Sequence, residues 1–319
     1  MKDSKIILIG DGAVGSSFAY SSSLLGVGRE LGIIDINEQR VEGDVLDLTD
    51  ALSFTYPKKV YKADYSDCSD AEVVVITAGI PQKPGETRLQ LVDKNLAIFK
   101  DMIGKVVDSG FDGIFLIASN PVDITTYATL KFSGFPAHKV IGSGTTLDTS
   151  RFKKRLGELL GVDYRSVNAY IMGEHGDTEF PVWSNANVGG LNIEEWRKTH
   201  PEVTEEALDK AFDQTVNAAY EIINRKGATF YGIGTALTAI VRAIINDEDA
   251  VFLTSSYLDG QFGQEDIYVG VPTVIGKTGA KHIIEVPLSD EEKEKLDHSV
   301  KTLKAVSYTH LTLPTTPYV

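Results

Sequence analysis

The feature that most constrains the fold of this chain is a glycine-rich turn that directly follows a short apolar segment. Residues 6–9 suit a parallel strand buried on both faces. Gly10, Gly12 and Gly15 then open a helix of small residues. Such glycines permit a tight turn and let the backbone approach a pyrophosphate, whose charge is stabilised by the N-terminus of the helix. Because glycine-rich turns are common, the motif needs support from elsewhere in the sequence.

An acidic residue gives that support. Residues 31–35 are predicted to form the second strand, and Asp35 ends it about 20 residues after the turn, where dinucleotide-binding folds place an acid for the ribose hydroxyls. A carboxylate there would repel a 2′-phosphate, so the pattern favours NAD over NADP. An alternative role for Asp35 is to cap the next helix, which Asn37 is also able to do.

Strands and helices alternate through the first half of the chain. Further buried strands are predicted at residues 73–76 and 113–117. The helices between and after the strands are predicted at residues 38–51, 87–109 and 122–131. This α/β pattern, which ends near Ser143, indicates right-handed crossovers and a doubly wound parallel sheet of the Rossmann type.

The second half predicts an α+β substrate and catalytic domain. Helical spacing is found at residues 146–161 and 205–226, and strands are predicted at 167–172, 267–275 and 282–286. Ser289 and Glu292 form a capping box that opens a last helix. We expect an NAD-binding domain over residues 1–143 and a catalytic domain over 144–305. The Thr- and Pro-containing tail, residues 306–319, breaks the helical pattern, and we expect it to be foreign to the fold.

Bulk properties limit the classes of partner. A formal net charge of −14 argues against nucleic acid, whose phosphates need clustered Lys and Arg. The sequence contains no apolar stretch long enough to span a membrane and no signal-peptide pattern. The one cysteine, Cys68, cannot form an internal disulfide, which fits a reducing compartment. We therefore expect a cytoplasmic protein without a metal, a membrane or a nucleic-acid partner.

Three side chains have the chemistry that reduction of a 2-keto acid needs. His175 suits proton transfer because the ordinary pKa of histidine is about 6.5. Asp148 is able to hold the imidazole in one tautomer, and Arg151, on the same helix face, is able to grip a carboxylate with two parallel hydrogen bonds. Alone, each also has a structural interpretation, as a core histidine or an ordinary salt bridge. Their occurrence with a nucleotide-binding turn favours hydride transfer to a small acid.

With these motifs, roughly residues 5–305 resemble the lactate/malate dehydrogenase family, and its bacterial lactate dehydrogenases in particular. The resemblance implies NAD as cofactor, pyruvate and L-lactate as substrates, and a homotetramer. It also implies that His175 is the proton donor and acceptor, Asp148 its partner and Arg151 the carboxylate clamp. Arg88, on a mobile loop, would polarise the carbonyl in the transition state.

The resemblance implies further contacts with both ligands. The additional substrate contacts are Asn120, Asp123 and Thr229. The cofactor contacts, including those of the glycine-rich turn, are Gly10, Gly12, Val14, Gly15, Asp35, Arg40, Tyr65, Gly79, Ile80, Ala118, Ser119, Asn120 and Ser143.

Within this family, the resemblance implies that Gln82 determines whether pyruvate or oxaloacetate is the preferred substrate. It lies in a loop rich in Pro, Gly and charge, predicted to be either a solvated surface loop or a lid that closes over the substrate. In the family, glutamine at this position marks lactate dehydrogenases and arginine marks malate dehydrogenases. The physics agrees, because the second carboxylate of oxaloacetate would be buried without a compensating charge.

Regulation is expected to differ from that of many bacterial relatives, in which fructose 1,6-bisphosphate binds between subunits through an arginine and a histidine. The matching positions here are Lys153 and Asn168, so activation should be weak or absent. Malate dehydrogenase, a dehydrogenase of branched 2-hydroxy acids, a non-catalytic NAD-binding protein and a copy inactivated by its altered C-terminus stay open as alternatives. A non-catalytic protein would be expected to lack His175, Asp148, Arg151 or Arg88, and all four are present.

Overall fold

The computed structural model describes residues 4–80 and 88–311, apart from the side chains of residues 88–91 and 308–311. Within these ranges a mixed sheet of nine strands forms the centre of the molecule. Its strands are β1 Lys5–Ile9, β2 Glu30–Ile34, β3 Lys59–Lys62, β4 Val73–Ile76, β5 Ile114–Ile117, β6 Val140–Gly142, β12 Ala250–Asp259, β13 Glu265–Gly276 and β14 Gly279–Ile283.

The strands of the first half are parallel and lie in the order β3-β2-β1-β4-β5-β6. The order changes direction between β1 and β4, and doubly wound folds bind their ligands in the crevice at the carboxyl ends of such strands. The predicted doubly wound parallel sheet is confirmed. The sequence prediction omits β3, an edge strand of Lys-Val-Tyr-Lys, and β6, which has three residues. Neither strand has the continuous apolar run that marks a buried strand.

Helices cover both faces of the sheet. The helices of the described residues are α1 Ala13–Leu24, α2 Glu38–Ala51, α3 Arg88–Asp108, α4 Val122–Ser133, α5 Thr146–Leu160, α6 Ile193–Arg197, α7 Glu205–Lys226, α8 Tyr231–Asn246 and α9 Asp290–Leu311. The predictions for α2 and α7 agree with these bounds, and those for α3, α4 and α5 differ by one or two residues at an end. The sequence patterns predict neither α6 nor α8.

Side chains of β1 alternate between two apolar cores. Ile6 and Leu8 pack on the side covered by α1 and α8, whereas Ile7 and Ile9 pack on the side covered by α3. All four are at most 2% exposed. Because both faces of the strand are buried, every position favours an apolar residue, which is why the strand is recognisable in the sequence.

Segments of the second half complete the sheet and core of the first. Strand β12 pairs antiparallel with β6 through Ser255 and Gly142, and β13 and β14 extend the same sheet. Helix α8 packs against α1, where the hydroxyls of Ser21 and Thr238 lie 2.6 Å apart. The two halves therefore share one sheet, and the boundary between residues 143 and 144 stays a prediction.

The rest of the second half contains short strands and the last helix. The short strands are β7 Val167–Asn168, β8 Ile171–Met172, β9 Phe180–Pro181, β10 Asn187–Val188 and β11 Leu191–Asn192. The capping box that opens α9 is confirmed, with Glu292 N–H donating to Ser289 Oγ and Ser289 N–H donating to Glu292 Oε2. The expected end of this helix near Val306 is wrong, because α9 continues to Leu311. The residues from 307 to 311 include neither Pro nor Gly, and the first proline of the tail is Pro314.

A search of the described residues for membrane spans is negative: none of their helices combines the length and apolarity needed to cross a bilayer.

Candidate active site

The glycine-rich turn joins β1 to α1 and fits the pyrophosphate of a dinucleotide. Gly10 has φ +104°, and a Cβ there would lie 2.4 Å from the backbone nitrogen of Ala78. A Cβ on Gly15 would lie 1.9 Å from the carbonyl oxygen of Gly10, whereas one on Gly12 would meet no atom of the described residues within 4 Å. The turn is thus packed from behind and open at Gly12. In the described part of the chain no side chain caps the N-terminus of α1, so its first N–H groups are available to a phosphate.

The sequence leaves two roles open for Asp35, which are binding a ribose and capping helix α2. Asp35, directly after β2, accepts hydrogen bonds from the backbone N–H of Asp11 at 2.7 Å and of Asn37 at 2.9 Å. Asn37 is the residue that caps α2, accepting from the N–H of Arg40 at 3.2 Å. Asp35 therefore holds the glycine-rich turn at the edge of the sheet, and its carboxylate oxygens keep further acceptor capacity.

A cleft of about 760 Å³ opens at the carboxyl ends of these strands. Six of the predicted cofactor residues line it: Gly10, Gly12, Asp35, Tyr65, Gly79 and Ile80. The remaining predicted cofactor residues do not line the cleft and are Val14, Gly15, Arg40, Ala118, Ser119, Asn120 and Ser143. Ala118, Ser119 and Asn120 follow β5, and Ser143 follows β6, so they lie at the same carboxyl edge of the sheet.

Two residues that shape the cleft escaped the sequence analysis. Thr77 Oγ1 donates to the carbonyl of Gly10 at 2.6 Å, which ties the turn to the end of β4. Asn95, 2% exposed, accepts from the N–H of Ile80 at 2.9 Å. Both act on backbone groups across long sequence separations, for which the sequence offers no local signal.

The structure brings together the three residues predicted to carry the chemistry. Nδ1 of His175, in the loop after β8, lies 2.6 Å from Oδ2 of Asp148 on α5. Nη1 of Arg151, one turn along α5, donates to the other oxygen of Asp148 at 2.9 Å. Asp148 is 3% exposed and therefore links a histidine and a guanidinium through a buried carboxylate. Nε2 of His175 is not engaged by Asp148 and is the nitrogen suited to a substrate oxygen.

Asp123 fixes the loop that carries His175. It is 2% exposed in the first turn of α4, and its Oδ2 accepts from the backbone N–H of His175 at 2.9 Å. Its Oδ1 accepts from the hydroxyl of Ser255 on β12, another residue that the sequence analysis missed. Both oxygens are used within the protein, so this geometry supports a positioning role for Asp123 more than the predicted substrate contact.

The electrostatics of the site favour a charged histidine. Burial opposes the charge on His175, but the carboxylate of Asp148, through its charge and its hydrogen bond, outweighs burial, with smaller contributions from Glu179 and Asp123. The pKa of His175 is consequently raised to about 9. Burial also opposes the charge of Asp148, yet the neighbouring His175 and Arg151 hold the pKa of this carboxyl below its ordinary value.

A second carboxyl group, Glu179, lies beside the histidine. Polar atoms of Asp148, His175 and Glu179 lie within 4.8 Å of one another. Burial and then the charge of Asp148 raise the pKa of Glu179 to about 8, while burial raises that of Asp123 to about 6 against its hydrogen bonds to Ser255 and His175. The site therefore contains several carboxyl groups with separated pKa values, which is typical of acid–base catalysis.

The remaining predicted residues are distributed as follows. Thr229, after α7, lies with its hydroxyl 3.4 Å from Nη2 of Arg151, so the predicted clamp and pocket residue are neighbours. Gln82 lies outside the described residues. Arg88 is the first residue of α3, and its side chain is outside the description.

The two positions matched to the sugar-phosphate site are a half-buried lysine and an amide. Burial lowers the pKa of Lys153, on α5. Asn168, on β7, is exposed and donates from Nδ2 to Oδ1 of Asn187 at 3.2 Å. The amide of Asn168 thus already has a partner within the protein.

Family models match both halves of the chain. The model of the lactate/malate dehydrogenase NAD binding domain matches residues 4–142, and that of the alpha/beta C-terminal domain matches residues 145–312. The chain is 61% identical over 302 residues to an L-lactate dehydrogenase of Latilactobacillus sakei subsp. sakei strain 23K, covering 95% of this chain and 93% of that protein. It is 60% identical, over the same length and with the same coverage, to the L-lactate dehydrogenase of Lacticaseibacillus casei.

The solved structures similar to this chain also include L-lactate dehydrogenases. The minor L-lactate dehydrogenase of Enterococcus mundtii, crystallised in a ligands-bound form, has a TM-score of 0.95 to this chain at 47% identity. The match covers 97% of this chain and 99% of that chain. The chain belongs to the lactate/malate dehydrogenase family.

Proposed function

We propose that this protein is an NAD-dependent L-lactate dehydrogenase that interconverts pyruvate with NADH and L-lactate with NAD. The observation that carries the proposal is the chain of contacts from His175 through the buried carboxylate of Asp148 to Arg151. These contacts support His175 as proton donor and Arg151 as carboxylate-binding fork, and α5, which carries Asp148 and Arg151, follows β6 at the carboxyl edge of the sheet.

Each of the three residues has a role that follows from its contacts. Arg151 donates to Asp148 with one part of its guanidinium and keeps further N–H donors for the substrate carboxylate. Asp148 orients the imidazole and stabilises its charged form. His175 gives its proton to the keto oxygen in reduction and takes the proton from the hydroxyl of lactate in oxidation.

NAD supplies the hydride acceptor and NADH the hydride donor, and the residues present fit this cofactor. The open backbone at Gly12 and the uncapped start of α1 suit the pyrophosphate, and Asp35 suits the adenosine ribose. Asn120 and Thr229 would complete the substrate pocket. Arg88 would polarise the keto group.

The proposed choice of pyruvate over oxaloacetate depends on Gln82. A neutral amide leaves the second carboxylate of oxaloacetate without a partner in a closed site, and an unpaired buried charge is costly. Gln82→Arg is therefore expected to shift kcat/KM towards oxaloacetate. An unchanged ratio in a folded variant would contradict this account of specificity.

NADH oxidation with pyruvate, with oxaloacetate and with a branched 2-keto acid tests the activity. A strong preference for pyruvate is expected. Preference for oxaloacetate would assign the protein as a malate dehydrogenase. Preference for the branched acid would assign it as a dehydrogenase of branched 2-hydroxy acids with a wider substrate pocket. Absence of turnover in folded protein that binds NADH would indicate a binding-only protein.

The same assay with fructose 1,6-bisphosphate tests regulation. We propose weak or no activation, because Lys153 lacks the planar fork of arginine and Asn168 carries no charge. Activation by more than about tenfold would contradict this proposal, because it would show a coupling free energy of about 1.4 kcal/mol or more between the sugar-phosphate site and the active site.

We also propose a cytoplasmic homotetramer. Tyr20 and Leu24 on α1 and Tyr231 on α8 are 56%, 50% and 70% exposed, which is high for large apolar side chains and typical of an interface. The buried thiol of Cys68 suits a reducing compartment. Sedimentation velocity is expected to show four protomers, and a monomer at micromolar concentration would contradict the assembly.

A further inference from the structure

Asp11, within the glycine-rich turn, has a buried carboxyl group whose oxygens meet no hydrogen-bond donor among the described residues. The residue is 1% exposed, and among the residues that the structure describes nothing donates a hydrogen bond to its Oδ1 or Oδ2. The backbone N–H of Asp11 donates to Oδ2 of Asp35, and the side chain of Asp11 takes no part in this hydrogen bond. An ionised carboxylate in such a place is costly, and buried polar groups without partners are rare.

The group opposite Asp11 is a second carboxyl. Asp44, on α2, lies within hydrogen-bonding range of Asp11, and its Oδ2 is also buried without a hydrogen-bond donor in the described part of the chain. Nε of Arg40 lies 3.6 Å from that oxygen, which is too far for a hydrogen bond. Two ionised carboxylates offer only acceptors. One proton between them supplies the missing donor and removes one of the two charges.

The charged groups around Asp11 favour this shared proton on balance. Burial and then the charge and hydrogen bonding of Asp44 raise the pKa of Asp11 to about 7. Arg40, also on α2, favours the ionised form, whereas Asp35, directly after β2, opposes it. The charge of the pair therefore changes close to neutral pH.

We propose that Asp11 and Asp44 share one proton, and that this proton allows the glycine-rich turn to accept the two negative charges of the NAD pyrophosphate. Asp11 adjoins Gly12, the open point of the turn and the start of α1. Loss of the proton would add a second negative charge to the pair, next to the turn whose backbone is proposed to face the phosphates. The inference deepens the NAD-binding part of the proposed function and rests on it.

The coupling has a definite sign. Bound pyrophosphate favours the protonated pair, so NADH binds most tightly below about pH 7 and less tightly as the pair loses its proton. If binding raises the midpoint of this titration by about one pH unit, the Kd of NADH rises about tenfold between about pH 6 and pH 9. Proton uptake accompanies binding within this range.

Fluorescence titration of NADH across this pH range, combined with calorimetry in two buffers of different ionisation enthalpy, tests the proposal. Asp11→Asn keeps the size of the side chain and presents an N–H donor to Asp44. It should bind NADH at every pH with the low-pH affinity of the unaltered protein and without the proton uptake assigned to the pair. Asp47→Asn, the same change at an exposed position of α2, should keep the original pH dependence.

Asp44→Asn separates a shared proton from an isolated acid. Without the charge of Asp44, Asp11 ionises more easily, and the fall in affinity should move to lower pH. A Kd that does not vary with pH in the unaltered protein would overturn the inference, as would a pH dependence that persists in Asp11→Asn. Failure of the unaltered protein to bind NADH at any pH would instead refute the assignment of NAD.

A measurement without NADH checks the pair independently. Because folding raises the pKa of Asp11, its ionisation lowers the stability of the fold as the pH rises from about 4 to about 7. Asp11→Asn should therefore have a higher Tm than the unaltered protein at about pH 8, and the difference should shrink at about pH 4. A lower Tm for Asp11→Asn at about pH 8 would contradict the shared proton.

Discussion

Replacing Asp148 by asparagine should remove the charge that keeps His175 protonated. The carboxylate serves two partners at once, with Oδ2 facing Nδ1 of His175 at 2.6 Å and Oδ1 accepting from Arg151 at 2.9 Å. An asparagine has a single oxygen, so Asp148→Asn satisfies one of these donors and turns an N–H towards the other. The variant retains the volume of the side chain and is expected to fold.

The size of the effect follows from the pKa of His175. Its rise from 6.5 to about 9 corresponds to about 3 kcal/mol in favour of the imidazolium, in spite of a burial effect that acts the other way. Once the charge of Asp148 is gone, burial is opposed only by the smaller contributions of Glu179 and Asp123, so the pKa of His175 should fall back to about 6.5. At about pH 7.5 the protonated fraction then drops from nearly all to about a tenth.

The assay is the pH profile of kcat/KM for pyruvate. In the unaltered protein, reduction should weaken as the pH rises through about 9, because the imidazolium is lost there. In Asp148→Asn this limb should move to about pH 6.5, with about a tenfold loss at about pH 7.5 that shrinks at lower pH. NMR titration of the His175 ring, assigned with His175→Asn, measures the same pKa directly. A limb that stays near its original pH in both measurements would refute the reasoning.

Three further predictions concern the site and the fold. Glu179→Gln and Asp123→Asn should each lower the pKa of His175 by less than Asp148→Asn does, because their carboxyl groups contribute less; an equal or larger shift in the NMR titration would contradict this order. Gly15→Ala places a Cβ 1.9 Å from a backbone oxygen and should destabilise the protein by about 1–3 kcal/mol or more in urea unfolding. Gly43→Ala, whose Cβ would meet no described atom within 4 Å, should instead stabilise α2 by about 0.5–1 kcal/mol. Lys58→Met should raise Tm at about pH 7, because burial lowers the pKa of Lys58 to about 7 and the protein loses stability as the pH falls from about 10.5 towards 7. The gain in Tm should vanish near pH 10.5, and an equal gain at all pH values would instead indicate an effect of packing alone.

The sequence alone determined the central strands and the glycine-rich turn that we propose binds the cofactor. Residues 6–9 and 73–76 are apolar throughout because both faces of a central parallel strand are buried, which leaves a signal within a few residues. The glycines carry a similar local signal, since Gly10 has a positive φ and Gly15 has no space for a side chain. The residue types for proton transfer and carboxylate binding were also evident from the sequence.

Only the tertiary structure decided how those groups act on one another. Asp148 and His175 are 27 residues apart and Asp123 and Ser255 are 132 apart, and no periodicity in the sequence links such positions. Strand β12 pairs with β6 at Ser255 and Gly142, and this pairing brings the two halves of the chain into one sheet. The pKa of a side chain depends on its burial and its neighbours, so neither the raised pKa of His175 nor the pairing of Asp11 with Asp44 was accessible before the chain was folded.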